Sequence, residues 1–476
     1  EPSTRQNSPR YGDVTAEVCE FLDDRAAECI RAGIPAYRIL VDPGFGFGKT
    51  LEHNLQLLHT KKNKLYDEGK ITVAYQDYEE SRIDRTRNTL IRNQQTETVK
   101  AISFNADANR SIGKGRLFYG AEYVWNKVGS TGMQTNINTG NSNAFVSRYP
   151  DGSTWSTAGI YTSYKINVRP KITVTGGLRY SYNTLHASFD TSFIKFPYQQ
   201  ANIEEGALTG NAGFVFRATE TWQLNANFST GYRMPNVDDI GKLFESAPGN
   251  ITVPNPDLRS EYALNYELGA IKNIDEKLRV ELNLFHSLLN NAIVRRVSSF
   301  NGQDSILFDG VLSRVETLQN VAKATVWGIQ LSAEVFINKH LSVQSHANWI
   351  TGKETDDNSN VQVPLRHAPP FYGSTLIKYR WKKLYAEASA LYNSEISNEK
   401  LAPVEQAKTD IYAKDANGKP FSPGWYTVNI KTSYELTKNL LLTAGWENIS
   451  NQRYRTYSSG IVAAGSNLIF SLRASL

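Results

Sequence analysis

Between Lys171 and Asn183 every second residue is apolar, aromatic or glycine. Ile172, Val174, Gly176, Leu178, Tyr180 and Tyr182 fall on one side of an extended chain, and Lys171, Thr173, Thr175, Arg179, Ser181 and Asn183 fall on the other. A period of two marks a β-strand with two unlike faces. The same alternation returns in Trp222/Leu224/Ala226/Phe228, in Tyr262/Leu264/Tyr266/Leu268, in Trp327/Ile329/Leu331/Ala333/Val335 and in Leu440/Leu442/Ala444/Trp446, each set against polar partners such as Gln223, Glu267, Gln330 and Thr443. From about residue 62 onward the pattern predicts roughly sixteen strands of about ten residues, the length a tilted strand needs to cross a bilayer.

A soluble sandwich alternates in the same way, so the connections decide the class. Short turns at 168–170, 218–221, 273–276, 338–339 and 437–439 alternate with long polar loops at about 129–153, 184–207, 232–259, 298–314, 352–369 and 394–424. Short turns at one end and long loops at the other are the asymmetry of an outer-membrane barrel. Tyr123, Trp125, Trp349, Tyr379, Trp381, Trp425 and Tyr434 lie near strand ends, where interfacial girdles stand. A chain of 476 residues with 40% hydrophobic content has no run of eighteen apolar residues, which excludes a helical membrane protein and leaves the barrel open. The net charge of +5 comes from scattered Lys and Arg, so nucleic-acid binding is not expected.

The first sixty residues follow other rules. Val18, Phe21, Leu22, Ala26, Cys29 and Ile30 are spaced by threes and fours and predict a helix, stopped by Gly33. Ile39-Leu40-Val41 reads as a short buried strand, and Thr50 as the cap of a second helix through Leu51, Leu55 and Leu58. The two cysteines, Cys19 and Cys29, would sit roughly 15 Å apart on one helix, too far for a disulfide. Between strand and second helix lies Asp42-Pro43-Gly44-Phe45-Gly46-Phe47-Gly48-Lys49-Thr50. It is not a nucleotide loop, because the position five before Gly48 is Pro43, which has no N–H to offer a phosphate.

Helix, strand, glycine loop and helix are one and a half units of a TIM-type α/β barrel. The stretch from Tyr11 to Leu58 closely resembles dihydropteroate synthase. The resemblance implies that Asp42 hydrogen-bonds a pterin ring and that Gly46 and Phe47 border the aminobenzoate pocket. The family's other active-site segments have no counterpart here, and a barrel of this type needs on the order of 250 residues. No catalysis is therefore expected of a fragment at about residues 1–61.

The remainder, about 62–476, resembles the barrel of TonB-dependent outer-membrane receptors. The resemblance rests on "AYQDYEESRIDR" (74–85), on "GYRMPNVDDIGKLFE" (231–245) followed by "VPNPDLRSEYALNYELG" (253–269), on "NVAKATVWGIQLSAE" (320–334), on "PLRHAPPFYG" (364–373) and on the closing 26 residues. Tyr232, Arg233 and Pro235 match one motif of that family, and Asn255, Pro256, Leu258 and Glu261 match its companion. The family implies 22 strands around a plug. Plug, first strands and TonB-contact segment have no match, so the expectation is an incomplete barrel that is not functional as it stands. A closed sixteen-stranded porin is a further possibility. No signal peptide opens the chain, and the last residue is Leu476 where such barrels usually end on an aromatic.

The implied partners are outer-membrane lipid, an extracellular small molecule or ferric chelate, and the TonB system. A ferric siderophore or another bulky nutrient is the expected cargo. Haem is the alternative, opposed by the lack of any histidine between Asn236 and Pro254 and by the dispersion of His186, His286, His340, His346 and His367. The acidic loop residues Asp238, Asp239, Asp356 and Asp357 are candidates for a calcium site, with hydrated surface charge as the plainer reading. No HExxH, CxxC or GxSxG motif occurs, and neither a metal nor a cofactor is expected.

Overall fold

The computed structural model describes residues 55–59, 62–86, 88–247, 249–355, 361–406, 408 and 411–475. Cys19, Cys29, Asp42, Gly46, Phe47, Asp356, Asp357 and the helix expected before Gly33 lie outside these residues.

One antiparallel meander runs through the chain. It begins at Leu55–His59 and continues through Glu68–Asp84, Ile91–Ile112, Gly115–Asn136, Thr154–Arg169, Ile172–Ser188, Gln200–Arg217, Trp222–Arg233 and Glu261–Ile274. Leu278–Val297, Val311–Phe336, Leu341–Thr355, Tyr372–Trp381, Leu384–Asn393, Trp425–Thr437, Leu440–Glu447 and Asn467–Ala474 complete it. Each strand pairs with the next. The sixteen strands from Glu68 onward fulfil the alternation. The seventeenth, Leu55–His59, corrects the helix expected through Leu55 and Leu58. Its backbone pairs from Leu55 opposite Val73 to His59 opposite Gly69, so a sheet edge overrides a local helical period.

One end of the meander carries turns of two to four residues, at 113–114, 170–171, 218–221, 275–277, 337–340, 382–383 and 438–439. In the tightest of them Gly113 sits at φ +56°, a left-handed conformation that a glycine adopts without cost. The opposite end carries the long connections. They start later than expected, because the strands are longer than expected: Ile91–Ile112 and Gly115–Asn136 have 22 residues each and Val311–Phe336 has 26. At about 3.3 Å per residue a strand of that length reaches roughly twice the hydrocarbon thickness. The excess stands beyond the membrane as a rim.

The direction of the side chains separates barrel from sandwich. A sandwich would bury the apolar face, and here that face is exposed: Leu178 is 58% accessible and Leu268 is 60%, with Val174, Tyr180, Tyr182, Leu224, Phe228, Tyr266, Trp327, Leu331, Leu442 and Trp446 exposed beside them. An apolar surface of that extent is covered by lipid or by another protein. The opposite wall is polar. Arg179 pairs there with Glu122 across the intervening strand, passing over Gly159, where any Cβ would collide with the guanidinium.

Buried apolar residues gather at the long-loop end. Leu185, Ala187, Phe189, Ile203, Met234, Val237, Ile240 and Leu258 form one cluster, and Val146, Leu243, Ile251, Val253, Phe300 and Val315 form another. Strand Asn250–Val253 pairs parallel with Arg314 to Thr317, tying the 234–260 connection to the rim. Among the described residues no ladder joins Asn467–Ala474 to Leu55–His59 or Glu68–Asp84.

Candidate functional site

The two motifs anticipated from sequence meet at the long-loop end and form a brace. Strand Trp222–Arg233 pairs with Glu261–Ile274, which sets Arg233 opposite Glu261. Nη1 of Arg233 donates to Asp239 Oδ2 at 2.6 Å, while its Nε pairs with Glu261. The remaining oxygen of Glu261 accepts from the Ile293 N–H at 2.6 Å. Pro235 is fully buried, and Asn236 caps the short helix Val237–Gly241 through a reciprocal pair: its side chain accepts from the Asp239 N–H at 3.0 Å, and Asp239 accepts from the Asn236 N–H at 3.0 Å.

The companion motif closes the same loop. Asn255 donates its backbone N–H to Ile240 O at 3.0 Å and its side-chain amide to Leu318 O at 2.7 Å, and it accepts from the Asp257 N–H at 3.0 Å, with Pro256 held inside that turn. Leu258 is buried in the first loop-end cluster, and the Tyr232 hydroxyl accepts from Asn183 at 3.3 Å. All seven motif residues therefore gather in one place, and their side chains serve to hold residues 234–260 over the barrel.

The candidate calcium pair Asp238 and Asp239 is committed elsewhere. Asp239 belongs to the brace. Asp238 accepts from the Tyr149 hydroxyl at 2.7 Å and pairs with Lys242 at 3.0 Å. Burial pushes Asp238 upward, but the Tyr149 and Lys242 contacts outweigh it and hold the carboxyl below its ordinary range. Among the described residues no group of three or more acidic, histidine or cysteine side chains converges on a metal position.

A second construction was invisible in the sequence. Three connections, around 361–371, 394–424 and 448–466, meet on Glu405, which is fully buried. Arg366 Nε donates to Oε1 at 2.5 Å, with Lys408 Nζ at 3.0 Å and His367 Nε2 at 3.9 Å from the same oxygen, and Oε2 accepts from Ser458 Oγ at 3.3 Å and from the Tyr412 hydroxyl. Burial alone would raise the Glu405 carboxyl; the Tyr412 and Lys408 hydrogen bonds and the cations prevail and bring it down to about 2. Leu401, Ile396 and Tyr412 pack beneath it.

Next to this latch is a cleft against the inner wall. Trp425, expected in a girdle, is corrected here. Tyr426, Val428 and Ile430 carry the lipid-facing side of that strand, while Trp425 points inward and stacks on Tyr454 with ring centres 4.2 Å apart. The other histidines stay apart: His186 meets Asn202, His340 meets Arg380 O at 2.8 Å, His346 meets Gln344 at 3.0 Å, and His286 stacks on Tyr266.

Comparison with known proteins agrees with this architecture. The family model described as TonB dependent receptor-like, beta-barrel, matches residues 33–449. The chain belongs to the TonB-dependent receptor family. That family consists of outer-membrane receptors and transporters, not enzymes. Over 62% of its length the receptor is 24% identical to hemoglobin-haptoglobin utilization protein B of Neisseria meningitidis serogroup A, covering 38% of that protein. The copper transporter OprC superposes with a TM-score of 0.71 at 13% identity, over 88% of this chain and 64% of that one. The ferric enterobactin receptor of Pseudomonas aeruginosa superposes at 0.63 with 16% identity, over 87% and 60%. A short N-terminal stretch is 56% identical over 57 residues to dihydropteroate synthase of Neisseria meningitidis serogroup C, 12% of this chain and 20% of that enzyme. The chain thus spans about a fifth of the synthase relatives and less than two thirds of these receptor relatives.

Proposed function

We propose that the chain is the barrel part of an outer-membrane receptor for TonB-dependent uptake of a bulky nutrient, with a ferric siderophore as the favoured cargo, and that this part by itself does not transport. One observation carries this reading: a polar-walled barrel with a lipid-facing apolar exterior is crowned at one end by braced and latched loops that surround a cleft. The ferric enterobactin receptor among the structural neighbours supports the cargo class. The domain division proposed is a dihydropteroate-synthase-like segment at 1–61 followed by the receptor barrel at 62–476. Asp42, Gly46 and Phe47 carry the resemblance to a pterin loop; pterin turnover is not proposed, because a pterin pocket needs groups from several strands. The seven motif residues are proposed as architectural. They position the loops and leave ligand contact to other side chains.

A haem-bearing cargo is the second reading, favoured by the relative named for hemoglobin-haptoglobin utilization. The separation of the described histidines weighs against an axial pair. The test is binding by the full chain refolded in detergent micelles, followed by intrinsic fluorescence during titration with ferric chelates and with haem. Saturable quenching by ferric chelates supports the siderophore reading, and saturable binding of haem alone replaces it with the second. No saturable response to either overturns both.

A further inference from the structure

The outward face of the sheet carries two lysines at the upper edge of its apolar band. Lys323 lies on Val311–Phe336 opposite Asn290, and Lys353 lies on Leu341–Thr355 opposite Thr325, so both share the face of Trp327, Leu331 and Trp349, and both are exposed. Their chain neighbours Ala324 and Glu354 turn the other way and are buried, with Glu354 paired to Arg296 at 2.8 Å. Lys353 stands about 40 Å along its strand from the short turn at 337–340, or on the order of 30 Å above it once the strand tilt is allowed for. That height matches the hydrocarbon layer, so the two lysines emerge where headgroups begin.

Three features give this place a chemical preference. Their ladder neighbours on the same face are neutral: Asn290, Leu288, Thr325, Thr351 and Pro364 surround the two ammonium groups, with no carboxylate among them. The other outward lysine pair, Lys100 opposite Lys127, differs in having Asp77 at 3.9 Å from Lys100. Just below Lys323 and Lys353 the Trp327 and Trp349 rings meet with centres 6.0 Å apart, exposed by 42% and 55%. Indole rings favour the level at which hydrocarbon gives way to headgroups. Finally, the side chains of Thr325, Thr351 and Asn290 add hydrogen-bond donors beside the charges.

We propose that Lys323 and Lys353 hold the phosphate of a lipid in the leaflet at the long-loop end, the phosphate lying between the two ammonium groups and the first carbons of the lipid lying on Trp327 and Trp349. The lysine stems run along the apolar surface while their heads reach the phosphate through charge-assisted hydrogen bonds. A soluble phosphate would use the charges and gain nothing from the indoles. The site lies outside the barrel, away from the braced loops, and fixes the height of the wall in the membrane whatever the receptor takes up.

The test follows binding to the full chain in nonionic micelles by native mass spectrometry, with dioleoyl phosphatidic acid, with dioleoylglycerol, which has the same chains and no phosphate, and with inorganic phosphate. The expected result is tighter binding of phosphatidic acid than of either other probe. Lys323→Gln combined with Lys353→Gln, at exposed positions that do not endanger folding, weakens it about tenfold. Lys165→Gln combined with Lys431→Gln removes the same charge from the polar inner wall and leaves it unchanged. Equal losses in the two double variants would reduce the effect to net charge and overturn the site, as would equal binding of phosphatidic acid and dioleoylglycerol. Inorganic phosphate binding as tightly as phosphatidic acid would assign the lysines to a soluble anion and overturn the lipid site. None of these outcomes touches the cargo reading, which the ferric-chelate and haem titrations test separately.

Discussion

At the scale of single residues, two side chains hold the crown of loops in place. Arg233 spans Asp239 and Glu261, whose side chains are only 12% and 16% exposed. Arg233→Ala leaves Asp239 and Glu261 with only their backbone N–H bonds from Asn236 and Ile293, and we expect a loss of about 1–3 kcal/mol in urea unfolding from micelles. Arg233→Lys should recover only part of it, because an ammonium cannot form the two directed bonds of a guanidinium. An unchanged unfolding midpoint in Arg233→Ala would show that the brace is ornamental. Glu405 gives a pH test. Its folded value, about 2, lies below its ordinary 4.5, so its ionised form contributes stability fully above the unfolded value, and the contribution disappears as pH falls through the folded one. The near-ultraviolet circular dichroism of the latch should therefore survive to about pH 4 and decay toward pH 2. Glu405→Gln should lack that signal at every pH; a wild-type latch that melts at about pH 5 would contradict the assignment.

Among the elements, strands were far more legible in the sequence than the loops that crown them. Period-two alternation is imposed by backbone geometry and needs no tertiary information, so Ile172–Ser188 and its neighbours could be read from Val174, Leu178 and Tyr180 alone. Their true lengths could not. Past the membrane the inward face itself becomes apolar where it meets the loop clusters, as at Leu185 and Ala187, while the outward face becomes polar, as at His186 and Ser188, so the sequence pattern inverts although the hydrogen-bond ladder continues. Leu55–His59 was misread because a neighbouring strand edge, not its own spacing, fixes its conformation. Tyr232, Arg233 and Asn255 were recognisable as motifs, but their bracing role depends on Glu261 and Leu318 arriving from other strands. Glu405 had no signal at all: a glutamate in a polar loop reads as hydrated until three connections close over it. The strand faces themselves predict an asymmetry. Leu178→Arg, on the lipid side, should cost about 2–4 kcal/mol if that position lies near the bilayer midplane, and Thr175→Arg, on the polar wall, much less. Equal costs would mean that the two faces share one environment.

For the whole molecule, the exposed apolar exterior has one physical meaning: the stable environment of this chain is a bilayer. In aqueous buffer the uncovered apolar face should drive aggregation, and detergent should prevent it. Sedimentation with and without detergent checks this, and a monodisperse monomer in plain buffer would oppose it. The most direct test places a nitroxide label, one position at a time, along Ile172 to Asn183 in lipid vesicles, with Cys19 and Cys29 replaced by alanine. Collision with oxygen should peak at Ile172, Val174, Leu178 and Tyr180, and collision with a water-soluble nickel chelate should peak at Thr173, Thr175, Arg179 and Ser181. A profile without that alternation, or one aqueous on both faces, would contradict the membrane barrel.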